Sequence, residues 1–257
     1  MTDSVASESL ATAQITGDRS TQEDTLAVHL LAADTCADKG DCLLVLADGM
    51  GGHAAGEVAS WLAVEKFSAA YINSHDNVIE ALRNSLDIAN EQLAGAVLAT
   101  PEYKGMGTTL TGTVIRNNHM YWVSVGDSPL WIFTNGFLRR VNADHSMVPL
   151  LDEMVTHGAM RRKEALTDFR RNLLRSAVTG NEIKLVDLCQ EPVQLVAGDM
   201  VMLASDGIET LSEHELATVL SNPGNVSLQE LADGLLTLVA AAGKSGQDNA
   251  SVILYRH

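Results

Sequence analysis

A run of five apolar residues, Leu43-Leu44-Val45-Leu46-Ala47, ends on an aspartate, and glycines crowd the positions behind it in Asp48-Gly49-Met50-Gly51-Gly52-His53. The run has the length and continuity of a strand buried on both faces. Residues 54–73 then read as a helix. A carboxylate is thereby set at the end of a core strand, on a turn whose glycines allow close approach of backbone or ligand. Taken alone, the same pattern is also a tight strand-to-helix turn in which Asp48 caps the helix. The pattern recurs, however. Ser205-Asp206-Gly207 follows the apolar run Met200-Val201-Met202-Leu203-Ala204, and Asp248-Asn249 directly precedes Ala250-Ser251-Val252-Ile253-Leu254. Three aspartates at three strand ends are the makings of a site for hard cations. Carboxylates about 4 Å apart repel by roughly 4 kcal/mol at an effective dielectric of about 20. Clustered Asp48, Asp206 and Asp248 must therefore shift their pKa values strongly or hold cations. Oxygen donors without His or Cys favour magnesium or manganese over zinc.

The elements that must position these residues follow from periodicity. Strands are expected at residues 11–16 and 25–33, joined by a polar loop rich in charge that carries Arg19, Glu23 and Asp24 and reads by itself as a solvated hairpin loop. Residues 54–73 present Ala59, Leu62, Ala63, Phe67 and Ala70 on one stripe, and residues 76–98 present Ile79, Leu82, Leu86, Ala89, Leu93 and Val97, with Pro101 as a stop. The period then shortens to that of strands at 108–115, 119–125 and 130–133. Asn117-Asn118 and Asn135-Gly136 read as hairpin turns, and Gly126-Asp127-Ser128-Pro129 as a turn between strands. Asp144-His145-Ser146 opens a short helix running to about residue 157. Residues 186–196 and 199–204 read as a hairpin turning at Ala197-Gly198. Helices at 212–220, with Glu215 at capping-box spacing from Ser212, and at 227–242 precede a last strand at 250–255. Helices grouped in pairs between antiparallel strands imply an α+β fold: two packed, mainly antiparallel sheets in a β-sandwich, flanked by a pair of helices on each side.

Composition narrows the possible functions. With 257 residues, 46% of them hydrophobic, and no linker-like tract, one domain with a substantial core is expected. Seventeen basic against 33 acidic residues give a formal charge of −16, which disfavours nucleic acid and anionic membranes as partners. No uncharged apolar stretch reaches the roughly eighteen residues that a membrane span needs. Cys36, Cys42 and Cys189 show no CxxC spacing, and no Lys or Arg precedes Arg19, so a cytoplasmic protein without a signal peptide is expected. One stretch runs against the acidic balance, with Arg161, Arg162, Lys163, Arg170, Arg171 and Arg175 close together. It is either a solvated helix face or a flap for an anionic ligand.

Seven short motifs carry a family resemblance: Arg19-x-x-x-Glu23-Asp24, Asp48-Gly49-Met50-Gly51-Gly52-His53, Gly107-Thr108-Thr109, Gly126-Asp127-Ser128, Asp144-His145-Ser146, Ser205-Asp206-Gly207 and Asp248-Asn249. In this order and spacing the chain resembles the metal-dependent Ser/Thr protein phosphatases, the type 2C or PPM family, in their compact bacterial form, from about residue 11 to residue 255. The resemblance implies one phosphatase domain over residues 1–257, with a flap at about 147–175. It implies two Mn²⁺ or Mg²⁺ ions, with a third held more weakly. Asp48 would bridge the two, the Gly49 carbonyl would bind one, and Asp206 and Asp248 would hold the other. Glu23 would assist through water, Asp24 would stand behind the ligands, and Asp127 would share the third ion with Asp206. Arg19 resembles the family's phosphate-binding arginine, and His53 the candidate general acid to the leaving oxygen. A water activated by two metals would attack phosphorus in line, without a covalent intermediate.

The implied function is therefore hydrolysis of phosphoserine and phosphothreonine in proteins by a monomer, with a Ser/Thr kinase and its targets among the partners. The alternatives are a catalytically weak relative that binds phosphoproteins or acts as a scaffold, and a small-molecule phosphatase. Two positions depart from the family pattern: Gln22 stands where Asn is usual before Glu-Asp, and Pro129 stands where Arg often follows Gly-Asp-Ser.

Overall fold

Strand β3 (Cys42–Met50) shows how the layers are built, because its side chains point alternately into two different cores. Leu43, Val45 and Ala47 lie under helices, whereas Cys42, Leu44 and Leu46 face a second sheet, so the whole apolar run is buried. The computed structural model describes residues 9–31, 41–51, 55–221 and 226–257. In the first sheet β3 lies between β2 (Asp24–Leu30) and β5 (Leu110–Arg116), and β6 (His119–Val125) follows β5. The short strands β4 (Gly107–Thr108), β9 (Asp187–Leu188) and β10 (Val193–Gln194) complete this sheet. The second sheet has the order β1 (Leu10–Ile15), β12 (Ala250–Arg256), β11 (Met200–Ala204), β7 (Leu130–Thr134), β8 (Phe137–Arg140). All pairings in both sheets are antiparallel.

Helices α1 (Ala55–Ile72) and α2 (Val78–Ala99) cover the outer face of the first sheet through Ala59, Ala63, Phe67, Leu82, Leu86 and Leu93. Two further segments, α3 (Val148–Thr156) and α4 (Arg162–Leu166), lie in the connection between β8 and β9. Helices α5 (Glu213–Ser221) and α6 (Leu228–Ala241) cover the second sheet through Leu216, Leu220, Leu231, Leu235 and Val239. The expected sandwich with a helix pair on each outer face is the observed architecture. Its helix starts are chemically marked: the Asn77 side chain accepts from the Glu80 N–H, and Ser227 and Glu230 form a reciprocal capping box. Both expected asparagine hairpins form with positive φ, at Asn117, Asn118 and Asn135.

Three expectations are corrected. Residues 186–204 are not a hairpin: β9 and β10 both pair with β6 in one sheet, while β11 lies in the other. Pro192 stands between β9 and β10, and a turn built on Gly198 (φ +95°) and the Asp199 side chain, which accepts from Val196 N–H, carries the chain across. The strand expected at 108–115 is broken after Thr108, because Thr109 bonds to Asp48 and Ser128 instead of continuing the ladder. The helix expected from Asp144 begins only at Val148, because Asp144 and Ser146 accept from the N–H groups of Ser146 and Val148 and hold a turn there.

Gly112 of β5 forms the floor beneath the Phe67 ring, and a Cβ added there would lie 2.4 Å from the ring. Gly112→Ala should therefore destabilise the fold by about 1–3 kcal/mol, as overpacked core substitutions do. The loss should be smaller when Phe67→Leu is made first. Denaturant midpoints of the three variants check this.

Candidate metal centre

The antiparallel order brings the end of β3, the end of β6, the start of β2, the end of β11, the start of β12 and the end of β1 to one end of the sandwich. The candidate residues sit there, on both sheets. Asp48 comes from the first sheet and Asp206 and Asp248 from the second, while Asp127 lies on the crossing from β6 to β7. Arg19, Glu23, Asp48, Gly49, Asp127, Asp206 and Asp248 line one cleft of about 450 Å³. A water molecule takes about 30 Å³ of liquid volume, so the cleft holds far more than one ion. Among the described residues, no three of these side chains close on a single point.

Backbone contacts fix each position. The Asp48 N–H donates to Thr109 Oγ1 (2.9 Å), and the Asp48 carbonyl accepts from Thr109 N (2.9 Å) and Thr108 Oγ1 (2.8 Å). Gly49 N donates to the Glu23 carbonyl, and the same carbonyl accepts from Ser60 Oγ. A Cβ at Gly49 would lie 2.2 Å from the Gly56 carbonyl, and one at Gly56 would lie 2.8 Å from the Glu23 carboxyl. Glycine at 49 and 56 thus lets the turn, the first turn of α1 and the Glu23 carboxylate meet at a helix N-terminus, where negative charge is favoured.

Asp24 pairs opposite Asp48 in the ladder and is 5% exposed. Its Oδ2 accepts from Ser205 Oγ (2.7 Å) and Ser251 Oγ (2.6 Å), whereas its Oδ1 is buried without a hydrogen-bond partner. Asp24 therefore ties the first sheet to β12 and to the Ser205 turn after β11, directly behind the cleft. Arg19 Nη2 donates to Asp248 Oδ2 at 2.5 Å, with both side chains open to the cleft mouth. Gln22, at its unusual position, bridges Ile15 O and Asp24 N. His53 lies outside the described residues.

Burial is the first cause of unusual acidity here, and mutual repulsion adds to it. It pushes the Asp48 carboxyl well above the ordinary range, and Asp24, Asp206, Asp127 and Asp248 push it the same way. Burial raises Asp24 to about 6 against the two serine bonds, which pull it down. Burial, Asp206 and Asp144 raise Asp127 to about 7. Burial and Asp248 raise Asp206, while Lys244 and Arg19 partly offset them. Buried carboxylates with few cations among them and an all-oxygen donor set suit hard divalent ions. The residues present thus fit the expected manganese or magnesium.

Sequence reasoning named the motif residues but missed how some of them act. Asn249 accepts from Glu23 N and donates to Thr16 O and Thr21 O, so one amide holds the loop bearing Arg19 and Glu23 against the Asp248 strand. Its place directly after Asp248 was the only mark of it in the sequence. Asn172, Leu173 and Leu174, in the connection between β8 and β9, line the cleft, which no spacing rule reveals. Three arginines of this connection pair locally: Arg161 with Glu164, Arg162 with Asp152 and Arg170 with Asp168. That favours the solvated-face reading for these three side chains.

The model of the protein phosphatase 2C family matches residues 22–235. Serine/threonine protein phosphatase PstP of Mycobacterium tuberculosis is 33% identical over 216 residues, which cover 82% of this chain and 40% of that protein. The chain therefore spans less than half the length of that relative. Serine/threonine phosphatase stp of Listeria welshimeri is 32% identical over 219 residues, which cover 82% of this chain and 83% of that protein. The crystal structure of the PstP catalytic domain in complex with two manganese ions is similar over 96% of both chains, with 29% identity and a TM-score of 0.74.

A carboxyl whose pKa is raised by folding stabilises the fold below its unfolded value, and that contribution is lost as pH rises through the folded value. For Asp127 the window runs from about 4 to about 7. In chelator, Asp127→Asn should then melt above the unsubstituted protein at pH 8, by about 1–3 kcal/mol of stability. The gain should vanish near pH 4. Thermal unfolding at both pH values in EDTA measures it, and no gain at pH 8 would show that the carboxylate is not held against its neighbours.

Proposed function

Because the chain belongs to the protein phosphatase 2C family, we propose that it is a metal-dependent phosphoprotein phosphatase that hydrolyses phosphoserine and phosphothreonine. The observation that carries this reading is that Asp48, Asp206 and Asp248, brought from both sheets, line one cleft with Arg19 at its mouth. Asp48, the Gly49 carbonyl, Asp206 and Asp248 would hold two manganese or magnesium ions, with Glu23 assisting through water and Asp24 behind them. Asp127 with Asp206 would hold a third. When bound, such ions would neutralise phosphoryl charge and lower the pKa of water, which supplies a nucleophile for phosphorus.

The chain's own residues do the positioning. Arg19 has five N–H donors in a planar fork, of which the Asp248 contact uses only part, so its guanidinium can also take phosphate oxygens at the cleft mouth. Asp24, through Ser205 and Ser251, keeps the two sheets in register beneath the reacting group. The flap, residues 147–175, would act through Asn172, Leu173 and Leu174, which wall the cleft beside the substrate backbone. His53 remains the candidate proton donor to the leaving oxygen by its place in the motif.

The partners proposed are phosphorylated proteins, including a Ser/Thr kinase and its targets. Both outer sheet faces are covered by the chain's own helices, which supports a monomer. Among the described residues no helix is long and apolar enough to cross a membrane. Cys42 and Cys189 are buried free thiols, which suits a reducing compartment such as the cytoplasm.

Asp48→Asn, Asp206→Asn and Asp248→Asn should each lower manganese-dependent hydrolysis of a phosphothreonine peptide by at least about a hundredfold, with circular dichroism unchanged. Near-normal turnover by any of the three would remove the two-metal reading. Arg19→Ala should raise KM for the same peptide roughly ten- to a hundredfold, and Arg19→Lys should recover only part, since the fork is lost. Steady-state kinetics decides, and an unchanged KM would place phosphate binding elsewhere.

A further inference from the structure

The turn that carries Asp127 is held by a side chain from another strand. Arg140, the last residue of β8, sends Nη2 to the Asp127 carbonyl (2.6 Å) and Nε to Asn142 Oδ1 (3.3 Å). Its Nη1 faces Glu209 Oε1 (3.5 Å) and Asp144 Oδ2 (3.9 Å). Glu209 belongs to the 3₁₀ turn that starts at Asp206 (Asp206–Thr210). Asn142 finishes the clamp: its Oδ1 accepts from Leu130 N (2.8 Å) and its Nδ2 donates to Ser128 O (2.9 Å). Backbone groups at 127, 128 and 130 are therefore all held from the end of β8. The Ser128 hydroxyl bonds Thr109 Oγ1 (2.7 Å), which in turn takes the Asp48 N–H. Pro129, where the family pattern often has arginine, is buried, and its carbonyl accepts from Ala204 N.

We infer that Arg140 is the positioning residue of the Asp127 arm of the site, holding from β8 the turn that carries it. It sets Asp127 against Asp206 by hydrogen bonding the backbone of one turn and by an ion pair with Glu209 of the other. Three nitrogens in a plane face four separate acceptors at once, and a lysine ammonium on a flexible stem does not span them. The inference rests on reading Asp127 as a ligand of the weaker ion, and its test is arranged to separate the two.

Manganese binding to the full chain, followed by calorimetry and by the spin-resonance signal of free Mn²⁺, is the readout, with melting in EDTA alongside. Asp127→Asn should remove the weakest site. Arg140→Ala should weaken that same site by about 10–100-fold, the usual cost of losing an outer positioning group, and leave the tighter sites within about threefold. Arg140→Lys should recover part of it. The double variant Arg140→Ala/Asp127→Asn should bind manganese as Asp127→Asn does, because the arginine acts through that residue. The inference is overturned if Arg140→Ala leaves the titration unchanged, or if it weakens every site alike while lowering the melting temperature. It is also overturned if its effect adds to that of Asp127→Asn, or if Asp127→Asn itself removes no site. In that last case the tight sites of Asp48, Asp206 and Asp248 still stand or fall by their own variants.

Discussion

Repulsion among buried carboxylates is the constraint around which this fold is arranged. Asp48, Asp24, Asp206 and Asp127 are all raised above the ordinary carboxylate range, with burial as the first cause and one another's charge adding to it. Such a set would spread apart if it stood on loops. Here each member is fixed by its surroundings: Asp48 by Thr108 and Thr109, Asp24 by its place in the ladder and by two serine hydroxyls, Asp206 by a 3₁₀ turn, and Asp127 by the side chains of Arg140 and Asn142 on its turn. The sandwich supplies the rigidity, since its inter-sheet core of Leu44, Leu46, Leu130, Ile132, Val201, Leu203 and Ile253 runs up to these turns. Stability of the fold is thus spent on holding like charges together, the arrangement that cation binding rewards.

The sequence made much of this legible for identifiable reasons. Strand ends were marked by continuous apolar runs that stop on aspartate, and helix faces by three- and four-residue spacing. Leu82, Leu86, Ala89 and Leu93 are indeed the buried face of α2, and Leu231, Leu235 and Val239 that of α6. Turn chemistry at Asn117-Asn118 and Asn135-Gly136 was equally plain. What stayed hidden depends on contacts between residues far apart in the chain. The change of sheet between β10 and β11 is settled by which neighbour each strand finds, and local pattern does not record it. The break at Thr109 follows from a hydroxyl shared with Ser128, nineteen positions away. Arg139 and Arg140 look alike in sequence, yet only Arg140 turns inward to the Asp127 carbonyl.

The division of the site between two sheets also explains why so many small polar residues surround it. Ser205, Ser251, Thr109, Ser128, Asn142 and Asn249 are all buried, and each bonds across an element boundary instead of within its own strand. Short side chains of this kind lose little rotamer freedom and point their donors accurately. They join the carboxylate-bearing turns without adding further charge to a region already crowded with it.

The pairing of β1 with β12 has a consequence for how the chain comes to be folded. Leu10 lies opposite Tyr255, so the second sheet joins strands far apart in the sequence, while β2, β3, β5 and β6 with α1 and α2 draw on residues 24–125 alone. Contacts of such long sequence separation form slowly, and domains emerge from synthesis N-terminus first. During translation β1 therefore waits until β12 has emerged, and a half-built protein can assemble one layer while the other, with Asp206 and Asp248, does not yet exist. A nascent chain is by this geometry unable to gather its carboxylates early, and the cleft is the last part of the molecule to close.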